Sequence, residues 1–439
     1  MPDAAGIRIR MYRVGFGDFF LLSLPTGGGG EQAHVLIDCG VHAHDIHAMA
    51  GALDLMKGDT GGKLALVIMT HRHADHISGF ASGKDTFAGF TVERVWMSWF
   101  EDPSDGDAAR IQSNLVAAAM RLRSAFAARS DPADAEFDRM AGNILGESLG
   151  LAAGSSNDVA LQVLRSFKTA AGGPTPVDYY RAGDPAKLPQ VLVDAGLDAQ
   201  ILGPPTDLNL VAQMDSKAHQ YLTADDSGDD GPPAAPFDRV FQQPALMWPT
   251  HAPPLYSIAQ IEAHIAANQP ELLAAAAQSA DNAINNQSVV VLFTFKGKTM
   301  LFCGDAQWGN WANFLFGGAI GASGKGGLTD DSKAILGSLD FYKVGHHGST
   351  NATPIDVVNA LKLGCVAMCS TDPGAYGNPA KGTEVPRTPL LAALAQRTQN
   401  QLARSDQVAA GTARPTAGLG DVAAPFSSGQ DGKYIDYNF

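Results

Sequence analysis

Apolar and polar positions alternate in short runs over the first hundred residues, a pattern typical of strands separated by brief connections. The segment 7–14 alternates as a half-buried strand does, whereas 64–69 is apolar throughout. Apolar residues at helical spacing predict a helix over 45–56. The predicted strands are 7–14, 19–24, 34–37, 64–69 and 92–99. This mixture of strands and helix predicts an α/β fold.

Residues 101–280 have a different character. They are rich in alanine, and the spacing of apolar residues predicts helices over 108–129, 158–169 and 258–278. Loops rich in Pro, Gly and Asp separate these helices, notably at 225–236. We interpret the block as a mainly helical insertion or lid, and the alternative is a set of packing helices without a functional part.

Strand-rich sequence returns after residue 280. A turn at Gly297 joins two apolar runs into a predicted hairpin. The predicted strands are 288–295, 299–303, 341–344, 366–369 and 434–439, and the predicted helices are 356–361 and 389–396. We therefore predict one domain built from residues 1–100 and 281–439, interrupted by the insertion 101–280.

Composition and charge narrow the classes of function. Of the 439 residues, 45% are hydrophobic and 17% are charged, which is typical of a globular chain. The longest apolar runs have five or six residues, against about 18 or more for a membrane span, so we expect no membrane association. The net charge of −14 repels phosphate backbones. It argues against binding of long duplex nucleic acid and leaves room for a small or short anionic substrate.

The cysteines bear on the compartment of the protein. They are Cys39, Cys303, Cys365 and Cys369, and none has the paired spacing of a zinc ribbon. The first residues lack the charged start and apolar core of a signal peptide. We therefore expect reduced, buried thiols in a cytoplasmic protein.

The strongest chemical signal directly follows the apolar run 64–69. Residues 71 to 76 read His-Arg-His-Ala-Asp-His, which places three imidazoles and one carboxylate together in a chain with 12 histidines. In an extended segment His71 and His73 point the same way. Imidazole and carboxylate ligands together suit divalent transition metals, so the motif predicts a metal site.

Three further strand ends carry acidic or imidazole side chains. Asp305 follows Gly304 after an apolar run, where a metal would partner the carboxylate and a helix N-cap is the alternative role. His346 and His347 end another predicted strand, and Asp38 ends a third. For Asp38 we give equal weight to two roles: direct ligation of the metal, and a structural role in support of the residues that ligate it. Because strand ends can gather at one edge of an α/β sandwich, these residues predict a common ligand site.

These motifs resemble the metallo-β-lactamase fold, and more narrowly the hydrolase-like domain of the competence DNA-uptake channel and its stand-alone soluble relatives. The resemblance is carried by His71, His73, Asp75, His76, Gly304-Asp305 and His346-His347-Gly348-Ser349. Shorter motifs at 14–18, 36–40, 285–290 and 376–379 match the same branch, the last with Asn378 where the branch has His. The resemblance covers about residues 7–100 and 281–400 and leaves the insertion unmatched.

The resemblance implies a four-layer αββα sandwich with a site for two divalent metal ions. The large, mainly helical insertion that we predict in this fold rests on the pattern of 101–280 and not on the resemblance. Zinc is the first choice of metal and manganese the alternative. The implied ligands are His71 and His73 for the first ion, Asp75, His76 and His347 for the second, and Asp305 as the bridge between them.

The resemblance also implies roles beside the ligands. Asp75 and His346 would be catalytic, with His346 donating to a leaving group or stabilising charge, and the roles of His346 and His347 are interchangeable at this point. Asp38, Asn286 and Ser349 would support the site from behind the ligands. For Ser349, hydrogen bonding is favoured over nucleophilic attack.

The chain departs from the family at the first ion. Many members of the fold supply a third histidine from a segment before the bridging aspartate, where this chain has Asn285 and Asn286. His251 and His264 lie upstream, inside the insertion, and would reach the site only if the insertion folds back over it. The first metal site is therefore expected to lack its ion, to hold it weakly, or to have its ligand set completed by Asn or water.

These inferences predict a metal-dependent hydrolase that uses a metal-bound hydroxide. The favoured substrate is a phosphodiester, in a nucleotide, a cyclic nucleotide or a short nucleic acid. A carbonyl hydrolase acting on an ester, lactone, thioester or lactam is the first alternative, and a binding module with a degenerate site is the second. The sequence identifies no protein partner.

Overall fold

The computed structural model describes residues 6–27, 30–41, 49–113, 156–211, 213, 216–221, 283–318, 327–375, 384–407, 424–429 and 432–439. In these residues the chain forms a mixed α/β fold with two sheets. The strands are β1 (Arg8–Tyr12), β2 (Phe19–Pro25), β3 (Gln32–Cys39), β4 (Lys63–Ile68), β5 (Thr91–Ser98), β6 (Val177–Tyr180), β7 (Leu197–Gly203), β8 (Val290–Phe295), β9 (Lys298–Phe302), β10 (Phe341–Lys343), β11 (Val366–Cys369), β12 (Leu402–Arg404), β13 (Phe426–Gly429) and β14 (Tyr434–Asn438).

Helices follow many of these strands. They are α1 (Met49–Thr60), α2 (Ala74–Ser82), α3 (Lys84–Phe87), α4 (Ser156–Ser166), α5 (Gln190–Ala195), α6 (Leu208–Val211), α7 (Trp308–Phe316), α8 (Asp330–Ser338), α9 (Ile355–Ala360) and α10 (Thr388–Arg397). Short 3₁₀ helices lie at Trp99–Glu101, Lys217–His219 and His346–Gly348. The order of strands and helices along the chain is that of an α/β protein.

The first sheet has eight strands in the order β13-β14-β1-β2-β3-β4-β5-β6. Its pairs are antiparallel from β13 to β3 and parallel from β3 to β6. Val35 of β3 lies opposite Leu66 of β4. The parallel half brings the carboxyl ends of β3, β4 and β5 to one edge, which is where α/β sheets form ligand sites.

The second sheet has six strands in the order β12-β11-β10-β9-β8-β7. Strands β9 to β12 are parallel, and β7, β8 and β9 pair in antiparallel fashion. Phe341 of β10 lies opposite Met300 of β9 and Val366 of β11. This sheet therefore also has a parallel half whose carboxyl ends lie side by side.

The core residues alternate between the two faces of each strand, as the two-residue period of a strand requires. In β8, Val291 and Phe293 belong to a cluster that contains residues of both sheets, whereas Val290 and Leu292 belong to a cluster with α7 to α10. A third cluster lies between the outer face of the first sheet and helices α1 to α4. The two sheets thus share one apolar core, and helices cover the other face of each sheet.

The structure confirms most predicted elements outside 101–280. The predicted hairpin around Gly297 is β8 and β9, and the predicted closing strand is β14. The predicted helix over 45–56 corresponds to α1, which spans Met49–Thr60 and so continues past residue 56, and residues 45–48 lie outside the described residues. Segments 225–236, 258–278 and 376–379, and the histidines at 42, 44, 47, 251 and 264, lie outside the described residues.

Within 101–280 the sequence analysis missed two strands. Strand β6 pairs with β5 in the first sheet, and β7 pairs with β8 in the second. The burial of β7 alternates strictly between buried and less buried residues, which is a strand pattern hidden in an alanine-rich region. The predicted helix over 158–169 corresponds to α4. Part of this block therefore belongs to the sheets, and the division into a domain and an insertion stays a prediction.

A search of the helices in the described residues finds none that is both long enough and apolar enough to span a bilayer.

Candidate metal centre

Strand ends from both sheets meet at the candidate site. Thr70 follows β4, and its backbone N–H and hydroxyl donate to the carboxylate of Asp38 at the end of β3, at 2.8 and 2.7 Å. The Thr70 carbonyl accepts from the N–H of Val289 beside β8, at 2.9 Å. Gly304, after β9, has a φ of +52°, and a Cβ there would lie 2.8 Å from the Cβ of Thr70. Only glycine allows this close approach of the two strand ends.

Four predicted ligands form one compact group. The ligand atoms of Asp75, His76, Asp305 and His347 all lie within 4.8 Å of one another. His76 Nε2 is 3.1 Å from Asp305 Oδ2, and His347 Nε2 is 3.1 Å from Asp75 Oδ2 and 3.5 Å from Asp305 Oδ2. Three of the four residues are buried and Asp75 is half-buried. Two imidazoles and two carboxylates are a donor set that zinc or manganese accepts.

Hydrogen bonds behind the two imidazoles set which nitrogen faces the group. His347 Nδ1 donates to the carbonyl oxygen of Ser370 at 2.9 Å, and His76 Nδ1 lies 2.7 Å from Asp38 Oδ2. In the neutral ring each Nε2 then holds a lone pair directed at a carboxylate. The buried Nε2 of His76 makes no hydrogen bond of good geometry despite its short distance to Asp305. A cation between these atoms satisfies all of them, so the residues present fit a metal ion.

The electrostatics of the group require positive charge. Burial alone would raise the pKa of the Asp305 carboxyl, but the charges of His76 and His347 outweigh burial and hold that pKa well below its ordinary value. Burial would lower the pKa of His76, yet the carboxylates of Asp305, Asp38 and Asp75 raise it well above its ordinary value. The group therefore binds either protons or a metal cation in the place between the imidazoles and the carboxylates.

His71 and His73, the predicted ligands of the first ion, lie together beside this group. His71 Nε2 is 3.1 Å from His73 Nδ1, and the rings of His71 and His76 are 4.1 Å apart. Burial, together with the charges of His76 and His73, lowers the pKa of His71 well below its ordinary value, so its ring is neutral. Among the described residues, the groups of three or more donor residues do not include His71 or His73.

His346 and His347 take different positions. His347 is fully buried and lies in the group of four, whereas the side chain of His346 is 24% exposed and its Nε2 lies 3.9 Å from Asp305 Oδ2. The Oγ atom of Ser349 is 2.8 Å from His346 Nδ1. Burial lowers the pKa of His346 although Asp305 opposes this. The geometry therefore favours His347 as the ligand and His346 as a group beside it.

Three predicted site residues have a left-handed backbone. Asp38, His346 and His347 have φ values of +53°, +41° and +53°. Residues other than glycine seldom adopt this region, although aspartate and histidine adopt it more often than most. Strained residues of this kind concentrate at functional sites, where the surrounding structure holds them in place.

Asn286, which we predicted behind the ligands, makes its side-chain hydrogen bonds to backbone groups, one of them at Gln307, two residues after Asp305. Its Oδ1 accepts from the backbone N–H groups of Gln307 and Asn310, both at 3.1 Å. Its Nδ2 donates to the carbonyl oxygens of Val211 and Gln213 at 3.0 and 2.6 Å. The side chain thus links the start of α7 to the end of α6. Both of its polar atoms are hydrogen-bonded to backbone groups.

The sequence analysis did not place two charged side chains in the site. Asp18 follows the turn after β1, and its backbone N–H donates to the carbonyl oxygen of Asp75 at 2.8 Å. Lys343 ends β10, is buried, and forms an ion pair with Asp18. A lone buried lysine requires a carboxylate partner, and that requirement is the sequence signal that could have found the pair.

Described residues of the region 101–280 contact the segment that carries His71 and His73. Arg72 forms a buried two-bond ion pair with Glu101, with distances of 2.7 and 2.6 Å. Nδ2 of the buried Asn157 in α4 donates to the Arg72 carbonyl oxygen at 2.9 Å, and Arg165 donates to the Glu101 carbonyl oxygen at 2.8 Å. The backbone between His71 and His73 is therefore held by residues from both sides.

The chain shows limited similarity to known proteins. No protein-family model matches the chain, and no curated protein matches it. Among solved structures, a β-lactamase domain protein from Burkholderia ambifaria shows 18% sequence identity and a TM-score of 0.21. The alignment covers 43% of this chain and 46% of that chain, so the match spans less than half of either protein.

Proposed function

We propose that this chain is a metal-dependent hydrolase with the metallo-β-lactamase fold. The observation that carries the proposal is the compact group of Asp75, His76, Asp305 and His347, whose ligand atoms lie within 4.8 Å of one another. Its support is twofold: the Nδ1 contacts of His76 and His347 turn both Nε2 atoms toward the carboxylates, and the surrounding structure holds His347 on a left-handed backbone.

The proposed architecture is the four-layer αββα sandwich. The shared core between the two sheets and the helices on each outer face support it. Residues 1–100 and 281–439 form the proposed hydrolase domain, and 101–280 the proposed insertion. Strands β6 and β7 of that insertion extend both sheets, so the insertion is continuous with the domain that carries it.

The proposed site holds up to two divalent ions, zinc first and manganese as the alternative. His71 and His73 would bind one ion, Asp75, His76 and His347 the other, and Asp305 both. Such ions, when bound, lower the pKa of a water molecule and neutralise the charge that develops on an attacked phosphorus or carbonyl carbon. The residues of the chain hold the reacting groups in place: Asp38 fixes the ring of His76, and Ser370 fixes that of His347.

A phosphodiester is the proposed substrate class. The support is the motif His346-His347-Gly348-Ser349, which resembles that of the uptake-channel branch. The half-exposed ring of His346 lies beside Asp305, where it can exchange a proton with a substrate oxygen. The net charge of −14 favours a nucleotide, cyclic nucleotide or short strand over long duplex nucleic acid. All four cysteines are buried free thiols, which fits the cytoplasmic location that we propose.

Turnover of two chromogenic substrates tests the proposal. The purified full chain is supplied with zinc or manganese and given an aryl phosphodiester and, separately, an aryl ester. We expect the wild-type chain to hydrolyse the phosphodiester. The rate of hydrolysis should fall by about 10³-fold or more in Asp305→Asn and in His76→Ala. Asp198→Asn, an exposed carboxylate on β7, is the matched control and should retain full activity.

The outcomes separate the candidates. Hydrolysis of the ester alone, with the same loss in Asp305→Asn, would replace the phosphodiester by a carbonyl substrate. Equal activity in wild type and Asp305→Asn would show that the proposed group is not the active site. Metal binding without turnover of either substrate would favour the binding module.

A further inference from the structure

His346 is held by two side chains from its own loop. Its Nδ1 lies 2.8 Å from Ser349 Oγ and 3.1 Å from Asn351 Oδ1. Ser349 Oγ itself donates to Asn351 Oδ1 at 2.7 Å. The three side chains therefore form a closed triangle of contacts on the side of the ring away from Nε2.

Counting protons in this triangle fixes the tautomer of the ring. The single hydroxyl proton of Ser349 is used on Asn351 Oδ1, and an amide oxygen only accepts. Both atoms that face His346 Nδ1 are thus acceptors, so Nδ1 must carry the proton. In the neutral ring Nε2 then has the lone pair, and it lies 3.9 Å from Asp305 Oδ2 in the candidate centre.

The backbone holds the triangle rigidly. Ser349 N–H donates to the His346 carbonyl oxygen at 2.9 Å, and Ala352 N–H donates to the Ser349 carbonyl oxygen at 3.0 Å. The indole of Trp311 in α7 donates to the Ala352 carbonyl oxygen at 2.9 Å. The loop is therefore anchored to the helix that follows Asp305, and the acceptors cannot drift from the ring.

We propose that Asn351 and Ser349 are positioning residues that hold His346 as the Nδ1-protonated tautomer, so that protons enter and leave the ring only at Nε2. This proposal rests on the hydrolase function proposed above. The side chain of His346 is 24% exposed, so part of it is open to solvent.

The proton balance of the reaction follows from this tautomer. Nε2 takes one proton from solvent, and the ring becomes an imidazolium. As the oxygen of the attacking hydroxide forms its bond to phosphorus, the bond from phosphorus to the leaving oxygen breaks, and that oxygen takes the proton from Nε2. The ring returns to its starting tautomer, because Nδ1 keeps its proton on Asn351 and Ser349 throughout.

The tautomer can be measured without activity or metal. The full chain, metal-free and labelled with ¹⁵N in its histidine rings, is examined by NMR at pH 8, where an unperturbed imidazole is neutral. His346→Gln identifies the His346 signals by their loss. We expect a protonated Nδ1 and an unprotonated Nε2 in wild type.

Substitutions test the two positioning residues. Asn351→Leu keeps the volume and removes the acceptor, so we expect signal from the Nε2-protonated tautomer to appear, whereas Asn351→Asp keeps an acceptor and the wild-type tautomer. Ser349→Ala is the second variant, and it is used if Asn351→Leu does not fold. We expect it to produce a smaller signal from the Nε2-protonated tautomer. A protonated Nε2 in wild type, or an unchanged tautomer in folded Asn351→Leu, would overturn the proposal.

Kinetics supply the second readout. With an active phosphodiester substrate, Asn351→Leu should lower kcat by about 10- to 100-fold with KM unchanged, and Asn351→Asp should restore most of it. A purely structural role in the loop would instead lower the unfolding temperature and leave the tautomer unchanged. If neither test substrate is hydrolysed, the proposed function fails while the NMR result still decides the tautomer.

Discussion

Lys343 and Asp18 form an ion pair in the floor of the candidate metal centre, and each side chain is only 2% exposed. The ammonium group of Lys343 also donates to the Gly304 carbonyl oxygen at 3.1 Å and lies 3.7 Å from Asp305 Oδ1. His76 and His347 face the other oxygen of Asp305, Oδ2. Positive groups therefore lie near both oxygens of the Asp305 carboxylate. The lysine belongs to the fold whether or not a metal is bound.

Breaking this pair from one side should destabilise the metal-free protein. Lys343→Met keeps the length of the side chain and removes the ion-pair partner of the buried Asp18, so we expect a loss of about 3–5 kcal/mol in the free energy of unfolding. Combining Lys343→Met with Asp18→Asn removes both charges and should recover a large part of that loss. Urea unfolding in the presence of a chelator measures both. Costs that simply add in the double variant would show that the two groups do not interact.

Asp38 should control how tightly the centre binds a cation. Asp38→Asn keeps the size of the side chain and tolerates the left-handed backbone, but it replaces the carboxylate that accepts the His76 Nδ1 proton. We expect the affinity for zinc to fall by about 10- to 100-fold. Competition with a chromogenic chelator measures the affinity, and Asp198→Asn is the control. An affinity within about twofold of wild type would show that Asp38 does not control zinc binding.

A methyl group at Gly40 should displace the segment that carries Asp75 and His76. A Cβ there would lie 2.4 Å from the backbone carbon of Asp75 and from the backbone nitrogen of His76. Gly40→Ala should therefore cost at least about 1–3 kcal/mol of stability and weaken zinc binding. Gly51→Ala in α1 is the matched control, because a Cβ there meets no atom within 4 Å, and it should stabilise the protein by about 0.5–1 kcal/mol. Similar thermal unfolding of the two variants would contradict the close packing of Gly40.

His34 should make stability depend on pH. Burial, and the charge of Arg8 after it, lower the pKa of His34 from 6.5 to about 4. Since the unfolded chain takes up this proton at a higher pH than the folded chain, a stability penalty begins as the pH falls below 6.5 and is complete below 4. It amounts to about 2 kcal/mol at pH 5. The difference in unfolding free energy between wild type and His34→Gln should change by this amount from pH 7 to pH 5. A difference that is constant with pH would show that the pKa of His34 is not lowered.

Much of the fold and of the candidate centre could be predicted from the sequence. The apolar run before His71 had to be a buried strand, and the glycine before Asp305 required a turn at the end of another. Parallel strands place such ends together, so the residues of three separate motifs meet within a few ångströms. The assignment of His347 to the group needed the structure, because two adjacent histidines on a left-handed turn point in directions that spacing does not define.

Other relationships could not be predicted from local pattern. Strand β6 is only four residues long, too short to show a pattern, and β7 lies in an alanine-rich region whose helical propensity hid its alternation. The ion pair of Asp18 with Lys343 joins residues far apart in the chain, and only the packing of the two sheets brings them together. Asn286 was predicted behind the ligands from its motif, and its hydrogen bonds to the start of α7 and to the end of α6 join parts of the chain that no local pattern relates.

Zinc binding to the metal-free full chain tests the central claim most directly. Calorimetric titration of wild type, Asp305→Asn, His347→Gln and the control His34→Gln compares removal of a proposed ligand with removal of a buried histidine elsewhere. We expect wild type and the control to bind at least one zinc per chain with a dissociation constant of about 1 μM or below, and each ligand variant to bind about 100-fold more weakly. Wild-type binding no tighter than about 1 mM, or ligand variants that bind as tightly as the control, would contradict the assignment of this group as a metal centre.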